Sequence, residues 1–412
     1  MEISNNYFVE NRKLIKNIFQ ITLPAVFDLL AQTLIMALDM KMVSSLGPSA
    51  ISSVGVGTAG MYALIPALIA VATGTTALLS RAYGADNKLD GKKAFAQSFF
   101  IAVPLGIILT IIFLIFSEQI INLVGNAKDM NLSDATLALV LKIILNFLLV
   151  YFFKWGIFGA ALSTTLTRLF SAIFSIYLVF WSKKNWISLE LKDLKFDYFT
   201  SKRILKVGIP AAVEQLGLRI GMLIFEMMVI SLGNLSYAAH KIALTAESIS
   251  FNLGFAFSFA ASALVGQELG KGSSQKALKN GYICTIIAMI VMSTFGLLFF
   301  IIPQFLVSLF TKDKDVIELA TMALKIVSIC QPFSGASMVL AGALRGAGDT
   351  KSVLLITYLG IFLIRIPITY LFLDVLNFGL AGAWIVMTID LAIRSSLAFY
   401  IFRRGKWKYL QV

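Results

Sequence analysis

Three polar side chains recur at helical spacing in an apolar segment near the start of the chain. Gln32 and Asp39 follow Asp28 by four and eleven residues. In an α-helix these positions lie within about 40° of one another, so the three side chains share one face. Ionisable groups inside a membrane helix are costly to bury and by default mark an ion or substrate path. The spacing therefore predicts an ion-binding face on this helix.

A second apolar segment repeats this spacing in the other half of the chain. Gln215, Arg219 and Glu226 again fall on one helical face, and Glu214 comes directly before them. A structural alternative is that Arg219 pairs with a carboxylate and only holds two helices together. The ion-binding interpretation favours Asp39 and Glu226 most strongly, one from each half.

Carboxyl groups in apolar surroundings suit the binding and release of protons near neutral pH. Sodium would use the same oxygens, at Asp39 or Glu226, so the residues leave the coupling ion open between H+ and Na+. We expect no other metal and no organic cofactor, because the two cysteines have no metal-binding spacing. The predicted cation-coupling and substrate residues from these two segments are Asp39, Glu226, Gln32, Asp28, Glu214 and Gln215.

The elements that must position these residues are membrane helices. Of the 412 residues, 58% are hydrophobic and only 14% charged, and the mean hydropathy is +0.85. A soluble domain carries about 25% charged residues. Ten apolar runs approach or exceed the roughly 20 residues that a membrane helix needs. These runs are Ile18–Val43, Ile51–Ser80, Ala94–Phe116, Gly156–Trp181, Val207–Leu232, Lys241–Val265, Tyr282–Ile302, Glu318–Ala341, Ser352–Val375 and Leu380–Phe402. The predicted fold class is therefore an all-α polytopic membrane protein.

Prolines and charges refine this interpretation. Six prolines in or beside the runs predict helix kinks: Pro24, Pro66, Pro210, Pro303, Pro332 and Pro367. The net charge of +13 comes from Lys and Arg in the short loops, which is the pattern that holds loops in the cytoplasm rather than one that binds nucleic acid. The chain lacks a phosphate-binding loop, a nucleophile elbow and zinc motifs, so we expect no enzyme and no use of ATP.

The chain also repeats itself. The segment beginning at Pro24 matches the one beginning at Pro210, an offset of 186 residues. Near the ends of the halves, Gly159 matches Gly382, and the offset has grown to 223 residues. The first half therefore lacks a stretch of 37 residues, one helix and one loop, whose copy in the second half lies around Met322–Leu359.

Charge placement predicts how the shortened half is arranged. The segment 183–206 holds seven basic and three acidic residues, so we expect it to be a cytoplasmic linker. For this linker to stay inside, one helix of the first half must not span normally, and the weakly apolar Leu137–Phe153, which contains Lys142, is the candidate. The predicted domains are a shortened lobe at 1–182, the linker at 183–206 and a six-helix lobe at 207–412, with about 5 + 6 spans.

Several motifs resemble the multidrug and toxic compound extrusion (MATE) family. The resemblance covers nearly the whole chain, and its most specific part is the Leu-Arg-Gly-Ala-Gly-Asp-Thr stretch that begins at Leu344. It implies a twelve-helix exporter of two six-helix lobes that expels organic cations in exchange for protons or sodium. In the resemblance Asp39 and Glu226 match the family's acids on the first helix of each lobe. The matching loop motif contributes Arg345, Gly346, Gly348 and Asp349.

Two departures from the family pattern concern the first lobe. It lacks the fourth helix and the companion loop motif. The family often carries an Asn followed one turn later by an Asp on the next helix, whereas here Asn146 is followed by Val150. We keep Asn146 as a candidate, but the resemblance leaves a first-lobe proton site incomplete.

The resulting expectation is a multi-pass, ion-coupled drug exporter in a bacterial plasma membrane. Its partners would be the lipid bilayer and small organic cations, with no nucleic acid, and it would act as a monomer. One alternative is a lipid-linked saccharide flippase of related architecture, which should show a more cationic cavity. The other is a non-transporting remnant, because losing a helix could disable the first lobe.

Overall fold

The computed structural model describes residues 12, 14–30, 48–115 and 186–411, together with positions 166, 169, 173, 177 and 180; for 48–65 it describes the backbone alone. These residues form helices and turns, without a strand among them, which confirms the all-α fold class. Residues 14–30 form helix α1. The further helices are α2 Pro48–Gly84, α3 Lys88–Ile115, α4 Tyr198–Ile230, α5 Asn234–Gly270, α6 Ser274–Ile301, α7 Pro303–Ser308, α8 Lys314–Ser328, α9 Gln331–Gly346, α10 Thr350–Val375 and α11 Gly379–Arg404.

The apolar runs of the sequence become long helices wherever the structure describes them. Five of the described helices are long and apolar enough to cross a membrane, and the bent pair α8 and α9 adds a sixth. Helix α4 spans 33 residues but carries more charged side chains within its apolar stretch. The described part of the chain is therefore polytopic, as the composition predicts.

One predicted run, Glu318–Ala341, is wrong as a single helix. The structure breaks it between α8 and α9 with a bend of 59°. Pro332 is the second residue of α9, and since proline donates no backbone hydrogen bond the first turn of α9 cannot continue α8. By contrast, Pro66 and Pro210 lie inside the continuous helices α2 and α4.

Two compact units make up the chain. The larger unit contains residues 1–26, 72–87 and 203–412, and the smaller contains 27–71 and 88–202. All of the predicted second lobe, 207–412, therefore falls in the larger unit. Leu137–Phe153 and the point of the missing helix lie outside the described residues, so the predicted topology of the first lobe stays a prediction.

Close helix crossings shape the larger unit. A Cβ atom added at Gly346 would lie 2.0 Å from the backbone oxygen of Ser262, so α9 can approach α5 this closely only with glycine there. Small residues at such crossings let membrane helices pack by van der Waals contact. Helix α10 departs from α-helical geometry in two π-helical stretches, Leu359–Arg365 and Leu371–Val375. Such stretches often accompany functional sites.

The smaller unit holds part of the predicted basic linker against α3. Lys92 forms an ion pair of 2.7 Å with Asp193. Gln97 donates a hydrogen bond to the backbone oxygen of Lys195 and accepts one from the backbone amide of Asp197. The hydrogen bond from Lys92 lowers the pKa of the Asp193 carboxyl below its ordinary value. This segment is therefore fixed to α3 by specific polar contacts.

Candidate functional site

A cavity of about 320 Å³ lies inside the larger unit, lined by α4, α5, α9, α10 and α11. Much of its wall is apolar, with contributions from Met222, Phe251, Phe255 and Met338. Cavities of this kind, apolar with a few placed polar groups, are typical of small-molecule sites.

Glu226, the predicted acid of the second half, lines this cavity. Its carboxylate accepts a hydrogen bond of 2.7 Å from the Tyr237 hydroxyl and forms an ion pair with Lys241. Tyr237 and Lys241 lie one turn apart at the start of α5, so this helix brings both partners to the acid. The Glu226 side chain remains 31% exposed. It is a paired carboxylate at an accessible edge of the site.

Glu214 meets a residue of the loop motif that the sequence analysis treated separately. Its carboxylate accepts two hydrogen bonds from the Arg345 guanidinium, at 2.7 and 3.3 Å, and a third of 3.3 Å from the Thr357 hydroxyl. Charge-assisted bidentate pairs are among the strongest polar contacts in proteins. The pair therefore joins α4 to the end of α9, and neighbouring Gln215 also lines the cavity.

The rest of the loop motif shapes the turn from α9 to α10. Gly348 has a φ of +84°, a left-handed conformation that favours glycine. Asp349 caps the start of α10, because its carboxylate accepts hydrogen bonds from the backbone amide and the hydroxyl of Ser352. Of the four motif residues, Arg345 alone is among those that line the cavity.

A buried cluster of three charged residues was missed by the sequence analysis. Asp390 accepts hydrogen bonds of 2.8 Å from Arg365 and 2.6 Å from Arg394, and its carboxylate is fully buried. Arg365 also lies over the ring of Phe225, 5.4 Å from its centroid. Asp390 and Arg394 follow each other at i, i+4 inside an apolar run, and this is the signal that could have identified them.

Glu247 was missed as well. It is 7% exposed and lines the cavity from α5. The Gln331 side-chain amide donates a hydrogen bond of 3.3 Å to it. Glu247 is the one acid in the predicted run Lys241–Val265, but the repeat offset places Met61 opposite it, and the search concentrated on positions that repeat.

The other predicted site residues lie elsewhere. Asp28 is an exposed residue near the end of α1 and belongs to the smaller unit. Gln32, Asp39 and Asn146 lie outside the described residues. The cavity thus brings together Glu214, Gln215, Glu226 and Arg345 from the predicted set, listed here by position.

A cavity of mixed charge inside a bundle of membrane helices defines a membrane transport protein. A sequence model of the MatE family matches residues 24–184 and 210–371, most of the chain. The chain therefore belongs to the MATE family of transporters, which confirms the resemblance of its motifs.

Individual relatives agree with this assignment. The chain is 28% identical, over 437 aligned positions, to a probable multidrug resistance protein NorM of Thermotoga maritima, covering 95% of this chain and 93% of the relative. The alignment is longer than this chain, so the relative has residues opposite gaps here, in keeping with a shortened half.

Solved structures show the same fold. A MATE crystal structure in the straight conformation has a TM-score of 0.86 at 20% identity and covers 94% of this chain and 95% of its own. A transporter of the MOP superfamily from Pyrococcus furiosus, described for the reverse polarity of its binding pocket, has a TM-score of 0.85 at 20% identity, with 96% and 97% covered.

Proposed function

We propose that this MATE-family transporter exports organic cations across a bacterial plasma membrane in exchange for protons or sodium ions. The observation that carries the proposal is the cavity, which combines carboxyl groups with aromatic and thioether side chains. A cation with apolar substituents would contact the rings of Phe251 and Phe255 and the sulfur of Met338, while carboxylates compensate its charge. The name of the Thermotoga relative, a probable multidrug resistance protein, supports the same class of substrate.

The test is transport in everted membrane vesicles that contain the protein. We expect ethidium or tetraphenylphosphonium to accumulate when a proton or a sodium gradient is imposed. A protonophore should abolish accumulation in the first case and a sodium ionophore in the second, which identifies the ion. Vesicles without the protein are the control. Equal accumulation in both preparations under every gradient would contradict the proposal.

A flippase for lipid-linked saccharides is the second candidate, and the three arginines of the cavity favour it. Arg345, Arg365 and Arg394 line the wall and could receive phosphate groups. Each of them is already bonded to a carboxylate, however, so the site offers no unpaired guanidinium among its described residues. Reconstituted liposomes with a labelled lipid-linked saccharide distinguish the candidates, because flipping without movement of tetraphenylphosphonium would replace the exporter with the flippase.

The shortened first half motivates the third candidate, a remnant that does not transport. We expect weak export, because alternating access requires two lobes that move against each other. Inserting a family-like helix and loop between Ala135 and Lys142 should raise the drug tolerance of expressing cells above that of the unmodified chain. Equal and strong tolerance from both would show that the shortened lobe is fully active.

A further inference from the structure

Glu247 occupies an unusual position for a carboxyl group. It projects from the middle of α5 into the cavity wall, 7% exposed, with apolar neighbours such as Phe251 and Leu244 along the same helix. Transferring an ionised carboxylate from water into such surroundings is strongly unfavourable unless a partner compensates the charge. What surrounds Glu247 therefore decides when it is charged.

The hydrogen-bond partner of Glu247 is neutral. Gln331 is completely buried, and the Ser250 hydroxyl donates a hydrogen bond of 2.7 Å to its side-chain oxygen. This contact turns the Gln331 amide nitrogen toward Glu247, to which it donates at 3.3 Å. An amide can hold the carboxyl group in place whether or not it carries a proton, because it contributes no charge of its own.

The other acids of the site have basic partners. Glu214 is paired with Arg345, Glu226 with Lys241, and Asp390 with two arginines. The titratable groups that Glu247 faces across the packing are Arg365 on α10 and Cys330 at the break before α9. Arg365 is already hydrogen-bonded to Asp390, so Glu247 receives no direct ion pair among the described residues.

The charges around the cavity balance only when Glu247 is ionised. With His240 counted as neutral, the residues that line the cavity or bond to its wall carry four carboxyl groups and four cations. The carboxyl groups are Glu214, Glu226, Glu247 and Asp390, and the cations are Lys241, Arg345, Arg365 and Arg394. A proton on Glu247 leaves one surplus positive charge, and so does an organic cation in the cavity. Holding both would bury two uncompensated charges, which is far more costly than holding either one.

Glu247 is also connected to the break in the bundle. Its partner Gln331 is the first residue of α9, directly after the 59° bend from α8. The amino-terminal end of a helix carries partial positive charge and favours an anion beside it. Losing the charge on Glu247 weakens this attraction at the bend, and interrupted helices are the elements at which transporters couple ion binding to movement.

We infer that Glu247, held by Gln331 and Ser250, is the exchangeable cation-binding carboxyl group of this unit, and that Glu226 is a paired residue at its edge. The ligand is a single proton or sodium ion, which leaves when an organic cation enters. The inference rests on the proposed function for the exchange with substrate, but the occupancy of Glu247 can be measured without transport.

The experiment uses the purified full-length protein in lipid nanodiscs and infrared difference spectroscopy of its carboxyl groups. Three perturbations are compared: a change of pH in choline buffer, addition of sodium at constant pH, and addition of tetraphenylphosphonium. A pH-sensitive dye in weakly buffered solution counts the protons released in the third case. The variants are Glu247→Gln, the matched control Glu226→Gln and the conservative Glu247→Asp.

The wild type should show a carboxyl band that responds to pH or to sodium and shifts again when tetraphenylphosphonium binds. If the ion is a proton, one proton should be released for each bound cation. Glu247→Gln should lose the band and the release, Glu226→Gln should keep both, and Glu247→Asp should restore them at a shifted pH or sodium concentration.

Persistence of the responding band in Glu247→Gln, or its absence from the wild type, would overturn the inference while leaving export to be judged by the vesicle assay. A wild type whose band responds to pH or sodium and is lost in Glu247→Gln, but which moves no organic cation, would keep the site and overturn the exporter.

Discussion

The two ends of helix α9 are held in opposite ways. At its carboxyl-terminal end Arg345 forms a bidentate ion pair with Glu214, and Asp349 caps the helix that follows. At its amino-terminal end Gln331 makes a neutral hydrogen bond to Glu247 beside a bend. A buried ion pair keeps one geometry, because separating it leaves an uncompensated charge. The neutral contact can persist through a change of charge on its partner, so one end is an anchor and the other can respond to an ion.

The largest effect should come from breaking the anchor. Arg345→Met leaves Glu214 buried without its ion-pair partner, and removing one partner of a buried pair destabilises a protein by about 3–5 kcal/mol. We expect a marked fall in the melting temperature of the purified protein. The double variant Arg345→Met with Glu214→Gln should recover much of this loss, since no lone charge remains. Equal melting temperatures for wild type and Arg345→Met would show that the pair is not an anchor.

A smaller effect is expected at the other end. Gln331→Leu removes the hydrogen bond to Glu247, which should cost about 1–3 kcal/mol for the buried group left without a partner. Because the ionised carboxylate needs the amide more than the protonated form does, the loss of melting temperature should be greater in alkaline than in mildly acidic buffer. Ser250→Ala, which only frees the Gln331 side chain to turn, should act in the same direction but less. A loss that does not vary with pH would argue against a change of charge at Glu247.

The cap beside the anchor should matter less again. Asp349→Ala removes the side-chain acceptor at the start of α10, a change that typically destabilises by about 1 kcal/mol. Asp349→Ser retains a capping oxygen and should melt close to the wild type. If both variants melt alike and well below the wild type, the residue contributes through its charge rather than through the cap.

The ion pair of the smaller unit provides a surface reference. Lys92 and Asp193 are partly exposed, so their pair should contribute at most about 1 kcal/mol. The pKa of Asp193 is lowered in the folded state, so its contribution is present above the ordinary pKa of an aspartate and is lost as the pH falls through the lowered value. Asp193→Asn should therefore melt slightly below the wild type at neutral pH and together with it in strong acid. A difference as large as that for Arg345→Met would remove the contrast between buried and exposed pairs.

Sequence reasoning identified the Glu226 and Glu214 side chains as cavity residues because it asked which polar positions repeat between the halves. The same question passed over Glu247, whose repeat position holds Met61. It also treated Glu214 and Arg345 as members of separate motifs, since 131 residues separate them in the chain. Their contact depends on how α4 packs against α9, and hydropathy carries no information about that packing.

The sequence by itself determined the class of fold and the family. Long apolar runs must become helices in lipid, where the backbone has no water to bond with, and the loop motif after α9 is specific enough to assign the chain. The tertiary structure alone decided which acids are neutralised and which one is not. Lys241 reaches Glu226 and Arg345 reaches Glu214, whereas Glu247 is left with an amide 84 residues away. The charge state of a buried carboxyl group depends on the groups packed within a few ångströms of it, and only the folded chain brings those groups together.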